Sequence, residues 1–212
     1  MILNLSLEEF PNKKLDLPKN ILDLLNKYYN FEIFWVKKNN NVFKKLIPTL
    51  NRIKNDLIIT VDDDVLYPKD VIEKMVNCYK KLGGNNPVSF GNKNTDWIIN
   101  GKIIGSHFGP GTILKYKFFN NKINEIYKYT TEDRINNGIK CPDDALYTFS
   151  ALLNGYKYLR CQEYSVVPFY INSPKLKKPF SENYNKKISF LSEEYKQVIQ
   201  KYINDFLSSI KT

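Results

Sequence analysis

Apolar residues along this chain recur in two rhythms, and the order in which they alternate predicts strands and helices in turn. Residues 2–5 read as a short strand at the initiator Met, and the polar stretch 6–18, with two prolines, reads as a loop. Ile21, Leu22, Leu24, Leu25, Tyr28 and Tyr29 recur at helical spacing after Pro18, a residue favoured in a first helical turn. Residues 31–36 follow as a strand. Residues 42–53 predict a helix with Pro48 inside it, so that helix should start late or kink.

Residues 57–61 are strand-favouring throughout, without polar alternation, and predict a strand buried on both faces in the middle of a parallel or mixed sheet. The run ends in three carboxylates, Asp62, Asp63 and Asp64, which therefore sit at the C-terminal edge of a strand. Residues 68–82 predict a helix with Val71, Ile72, Met75, Val76 and Tyr79 on one face and Gly83-Gly84 as its stop. Residues 88–90 form a short strand, and residues 97–104 a hairpin about Asn100-Gly101. A glycine-rich turn at residues 108–111 leads into another strand. Apolar positions 145, 146, 149, 152 and 153 mark a helix that opens at Pro142 and the acids Asp143 and Asp144 and stops at Gly155. Strands at 156–161 and 164–170, a basic loop at 171–184 and an amphipathic helix at 192–210 complete the chain. There is no internal repeat and no low-complexity linker, so the 212 residues predict one α/β domain.

Composition narrows the partners. The net charge of +10 and 14% aromatic content suit an anionic partner: nucleic acid, an anionic membrane surface or a phosphorylated substrate. The basic residues are scattered as singles and pairs, with no long arm and no nucleic-acid-binding signature, which argues against nucleic acid. Lys175, Lys177, Lys178, Lys186 and Lys187 share one loop with Phe180 and Tyr184, a mixture suited to peripheral contact with an anionic membrane. No apolar run approaches the ~18 residues that span a bilayer. Cys78, Cys141 and Cys161 are odd in number with no Cys-x-x-Cys, and His107 is the single histidine. Neither a disulfide framework nor a zinc site is indicated, and a reducing, cytoplasmic compartment is the simpler assumption.

The three adjacent acids carry the clearest chemistry. Carboxylates this close repel unless a cation or a hydrogen-bond network neutralises them, and in open α/β sheets ligands bind at that edge. Oxygen-only ligands suit Mg²⁺ or Mn²⁺. A helix start needs only one acid as cap, so at Asp143-Asp144 one can cap while the other faces a cleft.

Residues 58–68 resemble the Asp-x-Asp strand and loop of GT-A-fold glycosyltransferases, particularly bacterial family 2-like enzymes, in which the acids precede Tyr-Pro and a helix, here Tyr67-Pro68. Lys44-Lys45-Leu46-Ile47-Pro48 is similar to a Lys-Leu-Ile-Pro stretch that precedes that strand in the family, and Glu8, Glu9 and Phe10-Pro11 also recur there. Residues 108–114 resemble the family's glycine-rich segment, and residues 141–155 its Asp-Asp helix with an Asn-Gly exit. The resemblance runs from Ile2 to about Tyr158. It implies a GT-A-like, Rossmann-related mixed central sheet flanked by helices, and transfer of a sugar from a nucleotide-diphosphate donor to a glycan or lipid-linked acceptor. It places a divalent metal on Asp62 and Asp64, and the donor near Asp62, Asp63, Lys45 and the bare backbone of Gly109 and Gly111. Asp144 is then the general base of an inverting transfer, with Asp143 and His107 next in line.

One departure stands out. The first βα unit of the family, which supplies much of its base pocket, has no counterpart before Ile2. An uncovered strand edge there predicts either a homodimer through that edge or an upstream segment. Two other readings follow: a non-catalytic glycosyltransferase-like binding protein, and a metal-dependent phosphohydrolase. Against the latter, the Thr or Val expected two places after its Asp-x-Asp is Leu66.

Overall fold

The computed structural model describes residues 1–62, 65–91, 96–99, 102–106, 111–120 and 143–164. The strand β1 (Ile2–Ser6) pairs in parallel with β2 (Glu32–Val36), Leu3 opposite Ile33 and Leu5 opposite Trp35. Between them lies the helix α1 (Lys19–Lys27), capped by Pro18. A 3-10 turn, Asn41–Lys45, leads through Leu46 into α2 (Ile47–Arg52), so Pro48 falls in a first helical turn, where its missing N–H costs no hydrogen bond. The late start expected from that proline is what the chain adopts.

The main sheet has four strands: β3 (Ile58–Thr60), β4 (Val88–Ser89), β7 (Thr112–Leu114) and β8 (Leu159–Arg160), in the order β3-β7-β4-β8. β7 runs antiparallel to both its neighbours, and β4 and β8 are parallel, so the sheet is mixed. The hairpin β5 (Asp96–Ile99) and β6 (Lys102–Ser106) stands as a separate pair with a register shift between Trp97 and Ile98. The sheet carries α3 (Val71–Lys81) on one face, while α2 and α4 (Asp143–Leu153) share a core with the other.

Successive residues of β7 show why both faces are buried. Ile113 joins the core beneath α3, with Val71, Met75 and Phe90, and Leu114 joins the opposite core, with Leu50, Phe118 and Tyr147. β3 divides in the same way: Ile58 enters the second core, and Leu57 and Ile59 pack against the first. The unalternated apolar run therefore reflects two covered faces, as expected. Its placement mid-sheet needs correction, since among the described residues β3 pairs with β7 alone and stands at the end of the strand order.

Other expectations shift by a residue or a face. In α3 the buried stripe is Val71, Met75, Cys78 and Tyr79, and Ile72 is 48% exposed. The spacing of 71, 75, 78 and 79 follows the 3.6-residue period, and residue 72 lies about 100° around the helix from 71. The helix ends as expected at Gly83 and Gly84, whose φ values of 86° and 66° favour glycine.

The cysteines overturn a second expectation. Cys78 on α3 and Cys161 just after β8 are joined by a disulfide, with Cα atoms 6.2 Å apart. The partners are 83 positions apart in sequence, so no spacing motif announces the bond. It arises because α3 packs over the end of β8. Cys141, the loop at residues 171–184 with its lysines, the strand expected at 164–170 beyond Tyr164 and the helix expected at 192–210 lie outside the described residues. Among the described residues no helix is long and apolar enough to cross a membrane.

Gly111 shows how tightly the sheet and α3 meet. Its φ is 143°, and a Cβ built there would stand 2.3 Å from Cε of Met75, a residue with no exposed surface. Gly111→Ala must therefore strain the backbone and displace a packed methionine. We expect it to lower stability by roughly 2–4 kcal/mol, measured by chemical denaturation. The equivalent Gly83→Ala meets no atom within 4 Å and has only the backbone term to bear.

Candidate functional site

The site is built where β3 ends. Asp62 follows the strand, and its backbone N–H donates to the Tyr67 hydroxyl at 2.9 Å, which ties position 62 to position 67. Val65 and Tyr67 anchor this segment in the core beneath α3. Tyr67-Pro68 thus has a local mechanical role beside its place in a motif.

Lys45 reaches the same point from the other side. It is the last residue of the 3-10 turn before α2, and its ammonium forms an ion pair with Asp62 Oδ1. The turn is held from β1: Asn4 donates its amide to Thr49 Oγ1 at 2.9 Å and to the Lys45 carbonyl at 3.4 Å. The only polar residue within an otherwise apolar run, Ile2-Leu3-Asn4-Leu5, is the sequence signal that points to this role. The neighbouring Lys44 pairs with Glu9, whose carboxylate also accepts from Ser6 Oγ at 2.7 Å and from Asn39 at 2.8 Å. The Lys44 bond is the main reason that the Glu9 carboxyl lies below the usual carboxylate range.

The acids of α4 complete the cluster. Asp143 opens the helix, half-buried, and Asp144 beside it is only 9% exposed. Burial, and then the adjacent Asp144 charge, push the Asp143 carboxyl up to about 7, while the Lys45 ammonium pulls it the other way. The same Asp144 charge, after burial, raises the Tyr158 hydroxyl well above the ordinary tyrosine value. One lysine therefore feels acids from two distant segments: Asp62 after β3, and Asp143 at the opening of α4. Two polar atoms flank the cluster, buried and without hydrogen-bond partners: Asn4 Oδ1 and, one turn along α4 from Asp144, Thr148 Oγ1.

The remaining predicted residues divide as follows. Asp63, Asp64, Gly109 and His107 lie outside the described residues. Gly111 is placed at the start of β7, where the space a side chain would fill belongs to Met75. Among the described residues no three His, Cys, Asp or Glu side chains are grouped to hold a metal ion. The donor chemistry of Asp62, a hard carboxylate at a strand edge, fits Mg²⁺ or Mn²⁺, and any such ion shares Asp62 with the Lys45 ammonium. Tyr158, Asn4 and Thr148 were not singled out by sequence, because a buried tyrosine or threonine has no local pattern that separates it from core.

The raised Asp143 carboxyl sets a pH dependence. A folded-state value of about 7, against the ordinary value of 3.8, means that stability is fully present below about pH 4 and is lost as pH rises through 7. Asp143→Asn removes that loss. We expect the variant to exceed the natural chain by about 1–2 kcal/mol at pH 8, after discounting for partial solvation, and by nothing at pH 4. Denaturation midpoints at the two pH values check this.

No protein-family profile, no curated protein and no solved structure matches the chain, so these residues and their geometry carry the functional reading.

Proposed function

We propose that this chain is a metal-dependent glycosyltransferase with a GT-A-like fold. It transfers a sugar from a nucleotide-diphosphate donor to a hydroxyl of a glycan or lipid-linked acceptor, with inversion. The observation that carries the reading is the electrostatic link through Lys45, which is ion-paired with Asp62 and pulls on the Asp143 carboxyl beside Asp144, so that residues of three separate motifs act on one another. The mixed sheet, with acids at the end of one strand, is the architecture such a site needs.

Asp62, together with Asp64, would hold Mn²⁺ or Mg²⁺, which supplies positive charge against the diphosphate as it leaves. Lys45, placed on Asp62 by the turn that Asn4 holds, adds a second positive group on the side of the donor. Asp144 accepts the proton of the acceptor hydroxyl while that oxygen attacks the anomeric carbon from the face opposite the diphosphate. The bond to the diphosphate oxygen breaks in the same displacement, which inverts the carbon. A diphosphate leaves without being protonated, so one base suffices.

A second reading draws on one observation: the Lys45 ammonium forms an ion pair with Asp62 that offsets its charge. That suits a non-catalytic binding protein of the same architecture. Release of nucleoside diphosphate from a panel of UDP-, GDP- and dTDP-sugars, with Mn²⁺ and simple sugar acceptors, separates the two. Turnover of one donor supports transfer, and binding of a donor without any product supports the second reading. Phosphate released from simple esters instead would favour a phosphohydrolase.

A further inference from the structure

Away from the acid cluster, a cavity of about 240 Å³ opens between α3 and the segment that follows β8. Lys74, Asn77, Cys78 and Lys81 form one wall, all on one face of α3, and Glu163 and Tyr164 form the other. Cys78 lines this cavity and is 5% exposed, while its disulfide partner Cys161 is absent from the lining and 1% exposed. At the surface the two walls are joined by the Lys81–Glu163 pair at 2.6 Å, whose side chains are both 64% exposed, and by the Lys74 ammonium, 5.2 Å from the centre of the Tyr164 ring. Exposed pairs of this kind contribute little. The Tyr164 hydroxyl is buried and has no hydrogen-bond partner.

The disulfide also belongs to the core that holds the acidic loop. Cys78 and Cys161 pack in one cluster with Val65 and Val71, and Tyr67, which receives the Asp62 N–H, packs against it. What loosens α3 from β8 therefore loosens the seat of Asp62.

We propose that this cavity is a thiol-exchange site, at which a small dithiol reduces the Cys78–Cys161 disulfide and thereby frees the segment that carries Asp62. The inference stands apart from the proposed transfer reaction. A thiolate of the dithiol attacks Cys78 Sγ, Cys78 being the half of the disulfide that lines the cavity, and forms a mixed disulfide as Cys161 leaves as a thiolate and takes a proton. The second thiol of the dithiol then attacks the outer sulfur of that mixed disulfide and releases Cys78. Two electrons pass to the protein, which gains two thiols, and the dithiol becomes a cyclic disulfide.

The test uses the full oxidised chain and dithiothreitol without denaturant. Alkylation and intact mass should show two more blocked cysteines after treatment than before. Amide exchange across residues 61–71 should quicken by about tenfold or more, with residues 41–52 unchanged, while the melt stays cooperative and Tm falls by about 10 °C. Cys161→Ser should show the fast exchange without reductant and no further response to it. Three results would overturn the proposal: cysteines that react only in denaturant, reduction that leaves exchange at 61–71 unchanged, or reduction that unfolds the whole chain.

Discussion

Asp144→Asn is expected to lower transfer by ~10²–10⁴-fold while leaving donor binding nearly unchanged. Asn keeps the shape of a side chain that is only 9% exposed and still offers an acceptor oxygen in the first turn of α4, but it cannot accept the acceptor proton. The substitution also removes the neighbouring charge that raises Asp143, so the Asp143 carboxyl should move back towards the ordinary carboxylate range. That shift is a marker independent of turnover. Carboxyl titration by NMR and single-turnover kinetics together decide the matter. If Asp144→Asn loses stability and activity in proportion, or transfers at the natural rate, the base lies elsewhere and Asp143 is the next group to replace.

Lys45→Met should be the most damaging change to the cluster as a whole. The methionine keeps most of the stem but leaves Asp62 without its ion-pair partner and Asp143 without the ammonium that opposes the raising of its carboxyl. Both side chains of the Lys45–Asp62 pair are about three-quarters buried, at 24% and 27% exposed, so the pair is shielded more than a surface bridge. A loss of about 1–3 kcal/mol is expected at pH 8, shrinking at pH 5, where Asp143 already carries its proton. Chemical denaturation at both pH values measures it. An equal loss at the two pH values would mean that Lys45 acts by packing alone.

Much of this arrangement was legible because local signals and global packing agree. Pro18 and Pro48 set helix starts, Gly83-Gly84 and Gly155 set stops, and the unalternated run before Asp62 announced a strand covered on both faces. No spacing rule links positions 45, 62 and 143, so in the sequence only the family resemblance relates Lys45, Asp62 and the α4 acids. The disulfide escaped altogether, because the pairing of Cys78 with Cys161 is decided by how α3 lies on β8. Asn4 leaves a single local mark, one polar residue in an apolar strand, whereas the role of Tyr67 leaves none, because it serves the site through a hydrogen bond to the backbone of Asp62.

The shared cluster is tested most directly by the thermal stability of the natural chain with Mn²⁺, with a nucleoside diphosphate, and with both. If Asp62 and Lys45 hold the two ligands side by side, the rise in Tm with both present exceeds the sum of the separate rises, since each ligand offsets charge that the other brings. The excess should vanish in Asp62→Asn and persist in Asp144→Asn. Separate rises that merely add, or an excess that survives Asp62→Asn, would contradict a metal and diphosphate site at the end of β3.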